Sequence, residues 1–96
     1  MTFANNAVVS IATRALRAVG LCGAANLQGF VADDGTVSVI EINPRFSGGL
    51  PLSLAAGADL VFEYLGLAQG EPPTRERLQF RTGVTMTRHL QEVILP

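Results

Sequence analysis

The chain contains no lysine. All seven basic residues are arginines, at positions 14, 17, 45, 75, 77, 81 and 88, and the formal net charge is −1. That balance excludes a nucleic-acid partner held through a broad basic surface. Charge of either sign is scarce: 16% of residues are charged and 48% are hydrophobic, an apolar balance for a small domain that must keep its own surface wet. Tryptophan is absent, and one cysteine, Cys22, excludes an internal disulfide and fits a reducing cytoplasm. Its neighbours predict a buried strand residue. The single histidine, His89, has no patterned partner and reads as a surface or structural residue. No apolar run approaches the ~20 residues that a membrane span requires, and the N-terminus lacks the layout of a signal peptide. Repeats and low-complexity tracts are missing too. These absences predict one small cytoplasmic domain over residues 1–96, with neither a membrane nor a nucleic acid as partner.

What is present is concentrated in the run Val39-Ile40-Glu41-Ile42-Asn43-Pro44-Arg45-Phe46-Ser47-Gly48-Gly49. In a strand, alternate side chains share a face, so Glu41 and Asn43 emerge together while Ile40 and Ile42 turn toward a core. A carboxylate beside a carboxamide offers hard oxygen donors of the kind Mg²⁺ prefers. Arg45 follows just past Pro44 with a planar fork suited to phosphate oxygens. Together they predict a seat for a metal–nucleotide.

A second β-like run, Gly23 to Ala32, precedes it, with Asp33-Asp34-Gly35-Thr36 between. Asp-Gly flanked by apolar runs signals a tight hairpin, and a type I′ turn centred on Asp34 and Gly35 would pair Asp33 with Thr36. That register sets Gln28 opposite Glu41 and Asn26 opposite Asn43, and opposed residues share a face. Four polar side chains would then converge on one patch, with Leu27, Val31, Ile40 and Ile42 on the other face. A slip of one residue would scatter the cluster.

On these residues the chain resembles the ATP-grasp superfamily, and within it the carbamoyl phosphate synthetase-like branch and its stand-alone relatives. The resemblance runs from Gly20 to about Gly70, through GLCGAANLQGF, VIEINPRFSGG and LPLSLAAGADL. It implies that Glu41 and Asn43 match the family's second and third metal ligands. Gln28 matches the first, often acidic elsewhere and commonly Gln in that branch. Arg45 matches a catalytic residue that approaches the terminal phosphate or acyl-phosphate, and Asn26 a polar position near the phosphates. Arg88 falls where the branch often carries an Arg-aromatic pair, with His89 in place of the aromatic; it reads equally as a surface arginine.

Around the motif the coarse reading is a helix over residues 5–19 capped by Asn5 or Asn6 and stopped by Gly20. A short helix over 50–56 carries Pro51 in its first turn and ends at Gly57. Asp59 caps a further helix over 60–69, whose Leu60, Phe62, Leu65 and Leu67 read as buried and whose Glu63 reads as solvated. Gly70 to Pro73 is a linker and residues 75–81 are poorly patterned; from Thr82 to Leu95 the alternation of Val84 and Met86 favours a strand to about Leu90, while Leu90, Val93 and Ile94 also fit a helical spacing. Asp33 and Asp34 are turn residues. Ser47 is placed to hydrogen-bond a phosphate or substrate, with no base beside it to make it a nucleophile.

The fold expected is α+β, an antiparallel sheet with helices on one face. The resemblance implies the C-terminal part of an ATP-grasp fold, without the lid and the phosphate-binding lysines of the preceding part. It implies ATP and Mg²⁺ (or Mn²⁺) as cofactors. The implied partners are a nucleotide, a small-molecule carboxylate substrate, and the missing half of the fold, supplied by another chain or by a homodimer. Two functions follow as expectations: a portion of a carboxylate–amine ligase that forms an acyl-phosphate, inactive in isolation, or a non-catalytic remnant that self-associates or binds a partner.

Overall fold

The computed structural model describes residues 1–96, in the order α1 (Asn6–Ala18), β1 (Asn26–Val31), β2 (Val37–Asn43), α2 (Leu50–Ala56), α3 (Leu60–Ala68) and a 3-10 turn (Arg75–Leu78). The fold is α+β, as the residue pattern predicts. Each helix starts and stops where local chemistry dictates. The Asn5 side chain accepts hydrogen bonds from the Ala7 and Val8 amides at 2.9 and 3.2 Å, and Gly20 adopts φ +63 just past the end of α1. Pro51 lies in the first turn of α2, and Gly57 closes it at φ +108. Asp59 accepts the Phe62 amide at 3.2 Å and so caps α3.

β1 and β2 form a two-stranded antiparallel hairpin, and α1 packs against β2. The apolar flank of α1 (Val8, Ile11, Ala12, Ala15, Leu16) is half-buried, as are Leu27, Val37, Val39 and Ile42 of the hairpin. The opposite face of the hairpin, with Gln28, Phe30, Ser38 and Glu41, is open to solvent.

The turn differs from the expected type I′. No residue other than glycine has positive φ, so Asp34 does not occupy the left-handed region that type I′ requires. Ala32 instead pairs with Thr36 (N–H to carbonyl oxygen, 2.9 Å), the Gly35 amide returns to the Ala32 carbonyl at 2.9 Å, and Gly35 alone takes φ +84. This is a three-residue loop, and it shifts the ladder near the turn by one residue, to Val31↔Val37, Phe30↔Ser38 and Gly29↔Val39. A β-bulge between Gln28 and Gly29 leaves Ile40 without a partner and restores Gln28↔Glu41, Leu27↔Ile42 and Asn26↔Asn43. Ile40 is therefore not on the covered face as expected but 59% exposed, and Val39 takes its place there. Val31, at the turn end beyond the reach of α1, is also exposed.

Other expectations need correction. Cys22 lies in an irregular segment before β1 and is exposed. Phe62 and Leu65 are exposed on α3, whereas Glu63 is buried: its carboxylate accepts the Thr74 amide and an Arg77 Nη1 hydrogen bond at 3.3 Å. Residues 82–96 form no strand, because this stretch makes no ladder bond to the hairpin. Its backbone is held by Thr2, whose amide donates to the Val84 carbonyl and whose carbonyl accepts the Gly83 amide, each at 2.8 Å. The chain thus strings its elements along a path tied at its two ends.

Little of it is enclosed. Only Ala56, Ala58 and Glu63 are buried, and the accessible surface is 7627 Å². A compact monomer of 10.1 kDa exposes about 5,300 Å². The radius of gyration, 15.6 Å, likewise exceeds the ~12.5 Å of a compact chain this long.

Candidate functional site

The bulge decides what the open face presents. Beyond it, Gln28 stands directly opposite Glu41, and Asn26 opposite Asn43, at the end of the hairpin remote from the turn. Glu41 and Gln28 are exposed, and Asn26 and Asn43 are half-buried. Asn43 Nδ2 donates to Glu41 Oε1 at 2.9 Å, which aligns the carboxylate along the strand. The second carboxylate oxygen, the Asn43 Oδ1 and the whole Gln28 amide are left without protein partners. The structure thus brings Asn26, Gln28, Glu41 and Asn43 to the shared patch that the pairing arithmetic predicts.

Pro44 ends the ladder, and the chain turns at once: the Arg45 amide donates to the Asn43 carbonyl at 2.8 Å. Arg45 Nη1 rests on the Phe46 carbonyl at 3.1 Å, leaving its other donors in solvent. Ser47 Oγ accepts the Gly49 amide at 3.0 Å, so the hydroxyl shapes the loop that leads into α2. Phe46 packs edge-on against Tyr64 of α3, with ring centroids 5.3 Å apart, and anchors this loop to the helical side. Arg88 Nη2 donates to the Gly48 carbonyl, so the tail brings a second guanidinium to the loop after β2. That contact spans 40 residues of sequence, and no local pattern announces it. His89 is exposed and makes no hydrogen bond.

Asp33 and Asp34 stand apart at the turn. Asp34 Oδ1 accepts the Thr36 amide at 2.8 Å, and this hydrogen bond holds its carboxyl below the usual carboxylate range. It is a turn-forming group, as expected from Asp-Gly chemistry.

The donor set of the patch suits a hard divalent cation: the Glu41 carboxylate and the carboxamides of Asn26, Gln28 and Asn43, all able to offer oxygen. It holds a single acid, and nowhere in the chain do three His, Cys, Asp or Glu side chains converge. A lone carboxylate seats a bare cation weakly. A cation already bound to nucleotide phosphates would bring further oxygens with it.

A family model described as ATP-grasp in the biosynthetic pathway with Ter operon matches residues 2–92. The chain belongs to the ATP-grasp family. No curated protein and no solved structure matches it. The ATP-grasp fold generally binds ATP with Mg²⁺, and its members include ATP-dependent ligases. The match supports the ATP-grasp family and does not single out the carbamoyl phosphate synthetase-like branch.

Proposed function

We propose that this chain forms the metal and terminal-phosphate end of an ATP-grasp carboxylate–amine ligase. The observation that carries the reading is the patch itself: Glu41 hydrogen-bonded to Asn43 at 2.9 Å, with Gln28 directly across the ladder and Arg45 next along the chain. Glu41 supplies the one negative charge, and Asn43 fixes its orientation. Gln28 adds a neutral oxygen donor, and Asn26 adds hydrogen-bonding capacity toward the phosphates. The Arg45 guanidinium meets the transferring phosphoryl group or the acyl-phosphate that follows. Mg²⁺ or Mn²⁺, when bound, neutralises charge that develops on the phosphate oxygens. In the reaction class proposed, a substrate carboxylate oxygen attacks the γ-phosphorus and ADP leaves. An amine then attacks the acyl carbon and phosphate leaves.

The chain has no lysine, so cations for the remaining phosphates must come from arginines or from surfaces outside these residues. The exposed surface exceeds that of a compact 10.1 kDa protein by about 2,300 Å², well above the ~800 Å² that each partner contributes to a standard interface. This supports a complementary surface, from a second copy or another polypeptide segment, as part of the working site.

Mn²⁺ with a non-hydrolysable ATP analogue tests the reading. Paramagnetic broadening of amide signals should centre on Gln28, Glu41 and Asn43, and Glu41→Ala should abolish it. Broadening centred on Asp33 and Asp34 would overturn the assignment.

A further inference from the structure

We infer that Gly29 is a positioning residue for this site, acting through the bulge at Ile40; the inference rests on the metal–nucleotide reading of the patch. β2 carries a conflict of parity. Val37, Val39, Glu41 and Asn43 are all odd-numbered, so an unbroken strand would put two valines and the two polar site residues on one face. The observed hairpin separates them. Val37 and Val39 align with Val31 and Gly29, on the side that α1 covers, while Glu41 and Asn43 align with Gln28 and Asn26 on the open side. The one residue that makes the switch is Ile40, which has no partner across the ladder.

The bulge needs room on the facing strand, and Gly29 gives it. A Cβ at position 29 would lie 2.4 Å from the Ser38 carbonyl oxygen, 3.3 Å from its carbonyl carbon and 3.4 Å from the Val39 Cα. All three are backbone atoms, which cannot swing aside as a side chain does. Any side chain at 29 therefore forces the strands apart where the register changes. The register set by the turn would then run on unbroken, placing Ile40 opposite Gln28 and Glu41 opposite Leu27. Glu41 would move to the half-buried apolar face, and the patch would dissolve. Gly29 touches neither metal nor nucleotide in this account. It decides which way Glu41 points.

The test pairs Gly29→Ala with the deletion of Ile40. Ile40 is 59% exposed, so its loss removes little buried surface. Without it, Gly29↔Val39 and Gln28↔Glu41 become consecutive pairs of a regular ladder, and position 29 no longer needs to be glycine. Cross-strand backbone NOEs read the register, and Mn²⁺ broadening at Gln28 and Asn43 reads the site. Gly29→Ala alone should lose the Gln28–Glu41 NOEs, through slippage or unfolding, and weaken Mn²⁺ broadening by about tenfold or more. Adding the Ile40 deletion should restore both. If Gly29→Ala keeps the Gln28–Glu41 pairing, or if the double variant fails to regain it, the inference falls. If the wild-type chain shows the NOEs but no Mn²⁺ broadening, the metal reading fails while the register result stands.

Discussion

Removal of the buried carboxylate on α3 is the sharpest test of how the helical half holds together. Glu63 is 7% exposed, and its two oxygens tie α3 to the segment after the Pro72-Pro73 linker, through the Thr74 amide and Arg77. The Arg77 carbonyl accepts the Asp59 amide at 2.8 Å, and its guanidinium lies 4.4 Å from the Phe62 ring centroid, so the 3-10 turn is stitched to the helix at several points. Glu63→Ala strands the Thr74 N–H, and a hydrogen bond to a charged acceptor is worth about 1.5–3 kcal/mol. The Arg77 pair adds only about 0.5 kcal/mol, because the arginine is half exposed and solvent screens it. The expected loss is about 2–3.5 kcal/mol, which at this chain length corresponds to a fall in Tm of roughly 10–25 °C. Thermal and urea melts followed by circular dichroism measure it. Arg77→Ala, which spares the Thr74 bond, should cost about 1 kcal/mol, including its packing on Phe62. A Glu63→Ala protein within about 0.5 kcal/mol of wild type would show that α3 and the turn are not joined through this side chain.

Three further outcomes follow from the structure. The Asp34 carboxyl is held low by the Thr36 amide, so this bond favours the folded turn at neutral pH and stops doing so as pH falls through the lowered pKa. A carboxyl-carbon NMR titration should give a lower midpoint for Asp34 in the folded chain than in urea, and equal midpoints would refute the bond. The 96-residue chain alone should not hydrolyse or transfer phosphate from ATP, since positioned cations provide most of phosphoryl-transfer catalysis and it has no lysine; phosphate release sensitive to Asn43→Ala would overturn this. With Phe30, Ile40, Phe62 and Leu65 all at least half exposed, the chain should sediment as a homodimer or bind dyes that report apolar surface until a partner covers it. A compact monomer at high micromolar concentration that binds no such dye would defeat that expectation.

The helix boundaries are legible in the sequence because local devices set them. Asn5, Pro51, Gly57 and Asp59 each act within a turn of where they stand, and the helices they bound fall where those residues place them. Devices that act across the chain are not legible in the sequence. Glu63 reads as solvated by its residue type, and only the return of Thr74 and Arg77 from beyond two prolines encloses it. The tail alternates Val84 and Met86 as a strand would, and both are half-buried, yet a strand also needs a partner whose position no alternation encodes.

The hairpin carries the subtler lesson. A two-residue type I′ turn would pair Gln28 with Glu41, and that pairing forms although the turn is not of that type. The three-residue loop displaces the register by one, and the bulge at Ile40 displaces it back before the ladder reaches the polar patch. Two offsets of opposite sense cancel at the one place where register matters for function. Both had left marks in the sequence: Gly35 suits the positive φ that ends a three-residue loop as well as it suits type I′, and Gly29 is a glycine inside a strand, where a bulge or a close backbone approach is the usual reason. The odd-numbered valines beside odd-numbered polar residues were the third mark, since one strand cannot send both sets to opposite faces without an extra residue. Strict alternation over residues 40–43 hides the bulge, because within that span it is self-consistent. Carried back to Val37, it demands the switch that Ile40 makes.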